Sequence, residues 1–424
     1  MFNKICVMGL GYIGLPTSSL FATNGIKVIG VDINKHVVDT INSGDIHIEE
    51  PGLKTLVSAA VKSGNLVASL EPQEADAFII AVPTPFKHSD NVIKEADMSY
   101  VELAMKMILP YLKKGNLVIL ESTSPIGTCE KLLKPIIESA NFSVGEDIYL
   151  AHCPERVLPG KILKEAISNA RIIGGINEKS SKLAEKLYRT FVEGEIYLTN
   201  ATTAEMCKLM ENTYRDVNIA LANELANICS KIGINAWEVI EYANKHPRVN
   251  IHSPGPGVGG HCISVDPWFI IEKFPNEANI IKLCRITNDN QPKNVVNFIK
   301  KIDQEIEIKK ITIMGITYKG NVDDTRESPA IEVINLLKEN FDNISISIYD
   351  PHVKDKKFEI SNLEDAFKNS DLALLLTNHN DFKYLSPDEI GKIMNKKIIY
   401  DTRNCLDLSK WEKAEFRTYL LGRD

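Results

Sequence analysis

The sequence lacks long apolar runs, basic tracts and paired cysteines, each of which marks a class of protein. No apolar run in its 424 residues approaches the roughly 20 residues that a membrane-spanning helix needs. Its 49 basic and 56 acidic residues give a net charge of −7, without an arginine-rich arm for nucleic acid. The first residues, MFNKICVMGLGYIG, enter an apolar strand pattern without a charged leader. We therefore expect a cytoplasmic protein that binds neither membrane nor nucleic acid.

The eight cysteines are scattered singly, without a CxxC pair and without metal-like pairing with histidine. In a chain of this length, such spacing predicts reduced thiols, with neither a disulfide framework nor a metal site. Cys6 lies in a strand pattern, and Cys207 and Cys229 lie in a helical one. Thiols in such positions usually behave as small buried apolar side chains.

Short apolar strands alternate with amphipathic stretches at both ends of the chain. The first part contains ICVMGL, VIGVDI, AFIIAVP, LVILEST and IYLAHCP, and a second alternation begins at residue 311. Such a pattern is typical of parallel sheets covered by helices. The stretch between the two is mainly helical, and its longest helix is predicted over 203–231. At about 100–200 residues per domain, the length favours two or three domains.

A glycine-rich turn follows the first strand. Gly9, Gly11 and Gly14 form GxGxxG ahead of a helix, and Asp32 stands eighteen residues after the last glycine. Such glycines allow a tight turn and close approach of the backbone to a pyrophosphate at the helix N-terminus. The acidic residue accepts a hydrogen bond from a ribose 2′-hydroxyl and repels a 2′-phosphate. The pattern predicts NAD as cofactor in preference to NADP, and a glycine-rich turn in an ordinary βαβ unit is the alternative.

The same order of elements recurs later in the chain. ITIMGITYKG, a helix and ISIYDP repeat it, with Thr317 at the middle glycine position and Asp350 in place of Asp32. We interpret this copy as a Rossmann-like domain that does not hold a dinucleotide in the usual manner. The predicted fold class is therefore α/β, with two Rossmann-like, doubly wound parallel-sheet domains (1–198 and 305–424). They are joined by a helical middle domain (199–304) with a long central helix.

The stretch NKHPRVNIHSPGPGVGGHCISVDPW combines glycines and prolines with a cysteine. Its backbone N–H groups can wrap an anionic ligand. Cys262 precedes a predicted helix that has Asp266 as N-cap and Pro267 in its first turn. A helix N-terminus favours the thiolate form. A lone cysteine is structural more often than not, but beside this loop we interpret Cys262 as a nucleophile.

A polar stripe runs along the predicted central helix. Glu205, Lys208, Asn212 and Asp216 recur at spacings of three and four residues, which places them on one face. A solvated polar face is the usual explanation. The alternative is a cleft in which Lys208 and Asn212 stabilise an oxyanion at a reacting carbonyl.

Four blocks, ESTSPIGT, HCPERVLPG, TTAEMCKLMENTYRDVNIALANEL and HPRVNIHSPGPGVGGHCISVDP, resemble the signatures of the nucleotide-sugar 6-dehydrogenase family. That family includes the UDP-glucose and GDP-mannose dehydrogenases. The resemblance spans the chain in the order NAD domain, central domain and UDP-binding domain. CPERVLPG and the PGPGVGGHCI loop most resemble the branch that oxidises UDP-N-acetyl-D-mannosamine. Pro159 replaces a second glutamate of the UDP-glucose enzymes, and UDP-N-acetylglucosamine and UDP-glucose stay alternative substrates.

The resemblance implies a four-electron oxidation at the sugar C6 that proceeds through covalent catalysis. Cys262 would attack the C6 aldehyde to give a thiohemiacetal, which a second oxidation turns into a thioester. Lys208 and Asn212 would hold the oxyanion. Thr123 and Asp266 would position water, and Glu155 would assist proton transfer.

The resemblance also implies the binding residues and a homodimer. Arg248 would be contributed to the partner's site, and the alternative for this arginine is an ion pair with a local carboxylate of its own subunit. The product would enter a surface polysaccharide such as a capsule. The residues implied to bind NAD are Gly9, Gly11, Tyr12, Ile13, Gly14, Asp32, Thr84 and Thr123. Those implied to bind the UDP-sugar are Glu155, Arg156, Val157, Lys208, Asn212, Arg215, Arg248, His252, Gly259, Lys319 and Arg403.

Two rival functions come from other classes. A two-electron hydroxyacid dehydrogenase would share an NAD domain and a helical middle, but it would need neither Cys262 nor a third domain. A nucleotide-sugar-binding regulator would leave the thiol and the oxyanion pair without a purpose. The number of NADH molecules released per substrate separates these readings.

Overall fold

The structure is a computed structural model and describes residues 2–87, 93–260 and 262–423. The chain forms two compact units. The first comprises Met1–Glu211 with Trp268–Phe274, and the second comprises Asn212–Pro267 with Pro275–Asp424.

The first unit is built on an eight-stranded sheet. Its strands are β1 (Lys4–Met8), β2 (Lys27–Val31), β3 (Leu66–Ser69), β4 (Ala77–Ile80), β5 (Leu117–Leu120), β6 (Tyr149–His152), β7 (Arg171–Gly175) and β8 (Ile196–Asn200). They lie in the order β3-β2-β1-β4-β5-β6-β7-β8. Neighbouring strands are parallel, except that β6 and β7 are antiparallel. The chain adds β2 and β3 on one side of β1 and then crosses to add β4 and the later strands on the other side. This reversal of strand order creates a crevice between β1 and β4.

Helices cover this sheet, and the side chains of β1 alternate between its two faces. Ile5 and Val7 belong to one buried apolar core, while Cys6 and Met8 belong to another. Two short helical segments, Leu109–Tyr111 and Cys129–Leu133, add to the α-helices. The α-helices are α1 (Gly14–Thr23), α2 (Lys35–Asn42), α3 (Leu53–Lys62), α4 (Ser99–Ile108), α5 (Lys134–Glu138), α6 (Ile162–Ser168) and α7 (Glu178–Tyr188).

Five helices follow β8 along the chain: α8 (Ala201–Ile232), α9 (Ala236–Ala243), α10 (Asp266–Lys273), α11 (Asn279–Asp289) and α12 (Gln291–Glu305). The 32-residue helix α8 is about 48 Å long at 1.5 Å per residue. It contains the whole predicted stretch 203–231 and extends beyond it at both ends. Its first part belongs to the first unit and its last part to the second.

The second unit contains a five-stranded parallel sheet in the order β10-β9-β11-β12-β13. Its strands are β9 (Lys310–Met314), β10 (Ser345–Tyr349), β11 (Leu372–Leu375), β12 (Ile398–Asp401) and β13 (Arg417–Leu420). Its later helices are α13 (Pro329–Asn340), α14 (Leu363–Phe367), α15 (Pro387–Ile393) and α16 (Leu408–Lys413), with a short helical segment at Asn380–Tyr384.

The predicted α/β class, with two Rossmann-like sheets and helices between them in the chain, is confirmed. Strands β3, β7, β8 and β13 were not predicted, because short segments such as LVAS, RIIGG and RTYL carry little apolar alternation. The domain boundaries 1–198, 199–304 and 305–424 stay predictions. In the described part of the chain, no helix is both long and apolar enough to cross a membrane.

Candidate active site

The GxGxxG turn of the first unit has the conformation that its glycines predict. Gly9 has φ +91° and donates its N–H to the Val31 carbonyl at 2.7 Å. A Cβ atom on Gly14 would lie 1.9 Å from the Gly9 carbonyl oxygen, so no other residue fits there. Asp32 accepts hydrogen bonds from the Leu10 N–H at 3.1 Å and the Asn34 N–H at 2.9 Å. The carboxylate is thereby oriented at the end of β2.

The residues around this turn fit a dinucleotide. A Cβ atom on Gly11 would meet no atom of the described residues within 4 Å, which leaves room for a pyrophosphate. Helix α1 begins at Gly14 without an acidic residue in its first turn, so its free N–H groups suit an anion. Asp32 is partly exposed, as are Tyr12 and Ile13 in the turn and Thr84 and Thr123 after β4 and β5. These strand ends flank the crevice described above.

Glu205 anchors the segment that contains Thr123. This residue of α8 is fully buried and accepts hydrogen bonds from the backbone N–H groups of Gly127 at 2.5 Å and Cys129 at 2.9 Å. Burial raises the pKa of Glu205. Lys208, one turn further along α8, is partly exposed. The first residue of the polar stripe is therefore a buried anchor.

The segment after β6 carries three predicted substrate residues. Glu155 accepts hydrogen bonds from Arg171 Nη2 and from the Arg156 N–H, both at 2.8 Å. The Arg156 side chain pairs with Glu211, with Nη2 2.6 Å from Oε1. Val157 is partly exposed. Glu155 is thus fixed in orientation by two donors, and Arg171 was not predicted from the sequence.

In the second unit, Asn212 and Asp266 contact each other. Asn212 Nδ2 donates to Asp266 Oδ2 at 2.6 Å, and Asp266 is 2% exposed. Asp266 was predicted to be the N-cap of helix α10, but the helix begins at Asp266 itself, so Asp266 is its first helical residue. A turn precedes the helix, in which the Asp266 N–H donates to the Cys262 carbonyl at 2.9 Å. This turn links the partly exposed thiol of Cys262 to the amide–carboxylate pair.

Asp216 closes the polar stripe as a second buried anchor. It is fully buried, forms an ion pair with the buried Arg285, and accepts a hydrogen bond from Asn288 Nδ2 at 2.8 Å. Burial raises the pKa of Asp216 to about 6. Because Glu205 and Asp216 are both buried, the stripe is not a solvated face, and only Lys208 and Asn212 between them are partly exposed.

The glycine-rich loop packs directly against side chains of the second unit. A Cβ atom on Gly255 would lie 2.6 Å from Arg403 Nη1, and one on Gly259 would lie 2.9 Å from Tyr318 Cβ. The Arg403 Nε donates to the Leu376 carbonyl at 3.1 Å. Burial lowers the pKa of Arg403 to about 10. The predicted residues Gly259 and Arg403 therefore belong to one packed region.

Tyr318 belongs to the same region and was missed in the sequence. Burial raises its pKa, and the charge of the Asp324 carboxylate adds to the effect. Gly260, with φ +82°, approaches its ring so closely that a Cβ atom would lie 2.9 Å from Tyr318 Cε2. The signal in the sequence was its place next to Lys319, which is exposed.

The remaining predicted substrate residues lie near the surface of the second unit. The His252 ring packs edge-to-face on Tyr214, with centroids 6.4 Å apart. Arg215 and Arg248 are exposed. The Arg248 backbone N–H donates to His246 Nδ1 at 3.3 Å, and no described carboxylate forms an ion pair with its guanidinium. The expected alternative of a local ion pair for Arg248 is therefore absent among the described residues.

The structure brings two sets of predicted residues together, one in each unit. The first unit holds the glycine turn, Asp32, Thr123 and Glu155. The second unit holds the Cys262 turn, the Asn212–Asp266 pair, and the glycine loop with Arg403. The individual catalytic and binding roles stay predictions.

Comparison with known proteins places the chain in a family. The NAD binding, central and UDP binding domains of the UDP-glucose/GDP-mannose dehydrogenase family match residues 3–192, 202–290 and 312–408. A UDP-N-acetyl-D-mannosamine dehydrogenase of Methanococcus vannielii is 54% identical over 99% of this chain and 97% of its own length. An NDP-N-acetyl-D-galactosaminuronic acid dehydrogenase of Ralstonia nicotianae is 48% identical over 95% of this chain and 96% of its own.

A solved structure is similar over nearly the whole chain. The native structure of the UDP-N-acetyl-mannosamine dehydrogenase of Staphylococcus aureus is 49% identical, covers 99% of this chain and 98% of its own, and gives a TM-score of 0.89. The family resemblance predicted from the sequence is confirmed. The chain therefore belongs to the UDP-glucose/GDP-mannose dehydrogenase family, and NAD is its cofactor.

Proposed function

We propose that this chain oxidises UDP-N-acetyl-D-mannosamine at C6 to UDP-N-acetyl-D-mannosaminuronate. The observation that carries the proposal is the turn in which Cys262 leads into the Asn212–Asp266 pair, beside a glycine loop packed on Arg403. A thiol and an oriented amide are the groups that covalent oxidation of an aldehyde needs. Relatives of about half identity and full length carry the name of this activity.

The chain's residues would act in two stages. The Cys262 thiolate adds to the C6 aldehyde carbon, forming a C–S bond, and Lys208 and Asn212 stabilise the resulting oxyanion. The second oxidation converts this adduct to a thioester. Water then attacks the thioester carbonyl and the C–S bond breaks, which releases the carboxylic acid and regenerates the Cys262 thiolate. Thr123 and Asp266 position that water, and Glu155 assists proton transfer. NAD supplies the hydride acceptor for both oxidations, so each product requires two NAD molecules.

Asp266 has a second part in this scheme. Its carboxylate accepts a hydrogen bond from Asn212 Nδ2 at 2.6 Å, which fixes the orientation of the amide. The remaining N–H of that amide is then available to an oxyanion. Because Asp266 is nearly fully buried, this contact is protected from competing water.

Release of NADH from several nucleotide sugars tests the proposal. UDP-N-acetyl-D-mannosamine should be oxidised fastest and should give two NADH per substrate. The panel should include UDP-N-acetylglucosamine, UDP-N-acetylgalactosamine and UDP-glucose, the first and last of which are the alternatives predicted from sequence. A faster rate on another sugar would reassign the substrate, and one NADH per substrate would indicate a two-electron dehydrogenase.

The Cys262→Ser variant tests the covalent step. It should lose turnover by many orders of magnitude while NAD binds as in the wild type, because the nucleophile lies outside the glycine turn. Lys208→Ala should lower kcat by about 10²–10³-fold, the usual loss for one oxyanion donor. Full turnover by the serine variant would contradict the thioester mechanism.

We also propose that the chain forms a homodimer through α8. Tyr214, Leu221, Ile228 and Ile232 are 57%, 54%, 50% and 63% exposed. Their spacings of seven, seven and four residues place these apolar side chains on one face of the helix. A long exposed apolar stripe of this kind is typical of a surface that packs against a protein. An isologous dimer would bury it and would let each subunit lend Arg248 to the other.

Mixing two inactive variants tests whether Arg248 acts in the site of the partner subunit. Arg248→Ala and Cys262→Ala should each be nearly inactive. Unfolded together and reassembled in equal amounts, they should regain up to about a quarter of wild-type activity, because random pairing makes hybrids with one intact site. Two affinity tags establish that hybrids form. Hybrids as inactive as their parents would place Arg248 in its own subunit's site.

We further infer that the product supplies an acidic surface polysaccharide and that the reaction takes place in the cytoplasm. Oxidation at C6 leaves the sugar attached to UDP, so the product is an activated anionic sugar donor for a glycosyltransferase. Loss of the N-acetylmannosaminuronate residue from the cell's polysaccharide after deletion of the gene is the expected result. Unchanged polysaccharide would contradict this role.

A further inference from the structure

Four buried side chains of the first unit contact one another: Glu121, Glu155, Arg171 and Tyr188. We call this group the carboxyl cluster. Arg171 Nη2 lies 2.8 Å from Glu155 Oε2, and its Nη1 lies 3.5 Å from Glu121 Oε1. The Tyr188 hydroxyl donates to Glu121 Oε1 at 2.9 Å. The side chains of Glu121, Arg171 and Glu155 are 0%, 4% and 8% exposed.

The topology of the sheet assembles this cluster next to predicted catalytic residues. Glu121 follows β5 and directly precedes Ser122 and Thr123, while Glu155 lies three residues after the end of β6. Arg171 begins β7. Because β7 runs antiparallel to β6, its first residue reaches the carboxyl end of β6. The Arg171 guanidinium also stacks on the Tyr188 ring, 4.6 Å from the centroid.

The cluster contains one cation and two carboxyl groups. Two buried carboxylates beside a single guanidinium would leave an uncompensated charge, which is costly away from water. Arg171 and Tyr188 both contact Oε1 of Glu121, and its Oε2 has no partner within hydrogen-bond distance among the described residues. Burial, and after it the charge of Glu155, raise the pKa of Glu121 to about 8. Glu121 is therefore the group that holds a proton at neutral pH.

The other titratable groups facing Arg171 are neutral as well. Cys153 Sγ lies 3.8 Å from Arg171 Nη1, and burial raises the pKa of that thiol to about 12. Burial likewise raises the pKa of Tyr188 well above its usual value. Of the groups that the structure describes around it, the guanidinium thus faces one ionised carboxylate, that of Glu155.

We infer that Arg171 is a positioning residue that holds the Glu155 carboxylate in a fixed orientation. Glu121, the other carboxyl group beside Arg171, is neutral and does not compete with Glu155 for the guanidinium. This inference rests on the role of Glu155 under the proposed function. Arg171 and the Arg156 N–H bind one carboxylate oxygen each, so the carboxylate cannot rotate. Its remaining lone pairs stay available to water or a sugar hydroxyl. A lysine could not reproduce this arrangement, because it lacks the planar fork that reaches two acceptors.

A double-mutant cycle on kcat/KM tests whether Arg171 acts through Glu155. The enzymes are wild type, Arg171→Lys, Glu155→Gln and the double variant, assayed by NADH release with the best sugar of the panel. Arg171→Lys should lower kcat/KM by about 10- to 100-fold in the wild-type background. The same change should cost less than about 2-fold when Glu155 is already glutamine, because the positioned carboxylate is gone.

Arg285→Lys is the matched control, since Arg285 is a fully buried arginine paired with Asp216 in the second unit. Its loss should be equal in both backgrounds. An equal loss for Arg171→Lys in both backgrounds would overturn the inference alone and reduce Arg171 to a structural residue. A Glu155→Gln enzyme as active as wild type would overturn the proposed role of Glu155, and the inference with it.

Glu121→Gln tests whether Glu121 is neutral. It also provides a test of the inference if the Arg171→Lys variant does not fold. Glutamine keeps the shape of the protonated acid and an oxygen that accepts from Tyr188. Activity within about 2-fold of wild type is expected, with unchanged NAD binding. A loss of 10-fold or more, with normal NAD binding, would mean that Glu121 acts as a carboxylate and would overturn its assignment.

Discussion

The two Rossmann-like sheets begin with turns of the same construction that have different surroundings. Gly9 and Gly315 both have positive φ and donate their N–H groups to the last residue of the next strand, Val31 or Tyr349. The residue after each glycine donates to an aspartate, Leu10 to Asp32 and Ile316 to Asp350. Asp32 is partly exposed, whereas Asp350 is buried against His379 at 3.2 Å.

The difference continues along the two turns. In the first copy, an added Cβ on Gly11 has no atom within 4 Å in the part of the chain that the structure describes, and helix α1 begins at Gly14. In the second copy, Thr317 is buried, donates to the Lys319 carbonyl at 2.8 Å, and contacts His379. Its helix begins only at Pro329. The first turn thus leaves an open anion site at a helix N-terminus. The second turn is filled by Thr317 and His379, which follow strands of its own sheet.

The strongest test of this contrast replaces the last glycine of each turn. Gly14→Ala forces a Cβ onto the Gly9 carbonyl, and Gly320→Ala places one 2.3 Å from the Asn378 carbonyl. Each should lower the free energy of unfolding by about 1–3 kcal/mol or more. Only Gly14→Ala should abolish NAD binding, measured by calorimetry. Gly11→Ala is the control: it should keep wild-type stability and still weaken NAD binding. A loss of NAD binding in Gly320→Ala would contradict the separation.

The paired aspartates should separate cofactor binding from stability. Asp32→Ala should weaken NAD binding by about 10- to 100-fold, the range for a hydrogen bond to a charged group, and relax discrimination against NADP. Asp350→Ala should leave NAD affinity unchanged and cost about 1–3 kcal/mol, because His379 and the Ile316 N–H lose a buried partner. Titration with both cofactors and urea unfolding measure the two effects. Equal effects of the two changes on NAD affinity would erase the contrast.

The sequence predicted the parts of this contrast that depend on local pattern. Apolar alternation indicated both sheets, and the spacing of Gly9, Gly11 and Gly14 indicated the NAD turn. Thr317 at a glycine position indicated that the second turn does not hold a dinucleotide in the usual manner. These features are encoded within a few residues of one another, which is the range over which a pattern can be interpreted.

Contacts between distant residues could not be predicted in this way. His379 meets Asp350 from 29 residues away, and Glu205 anchors Gly127 from 78 residues away. Arg171 begins a short strand whose antiparallel pairing alone brings it to Glu155. Polar residues of this kind look like surface residues in a sequence, because their burial depends on partners that the fold supplies.

The pH dependence of stability should also distinguish Asp350. Burial opposes its ionisation, but the hydrogen bonds from His379 and the Ile316 N–H prevail and lower its pKa below the usual value. A lowered folded-state pKa stabilises the protein above the unfolded-state pKa of about 3.9, and the gain is lost as pH falls through the folded value. The stability lost in Asp350→Asn should therefore shrink between pH 5 and the acid limit of folding. A deficit that stays constant in urea unfolding from pH 7 to 3.5 would contradict this account.

The smallest effect is expected from restoring the glycine pattern in the second turn. Thr317→Gly recreates GxGxxG at residues 315–320 but leaves the surroundings in place. Thr377 Oγ1 would still donate to the carbonyl of residue 317, as it does now at 2.7 Å. His379 would still occupy the space beside Asp350. We expect a loss of about 1 kcal/mol from the missing hydroxyl and the freer backbone, and still one NAD per chain by calorimetry.

The reciprocal change, Gly11→Thr, makes the first turn resemble the second. The Cβ that it adds has no atom of residues 2–87, 93–260 and 262–423 within 4 Å, so the fold should tolerate the change while the pyrophosphate loses its space. NAD binding should fall far more than in Gly11→Ala, with little change in thermal unfolding. A second NAD bound by Thr317→Gly would mean that the glycine pattern alone determines whether a turn binds a dinucleotide. One NAD in that variant and none in Gly11→Thr would mean that a dinucleotide needs both the pattern and the empty space around it.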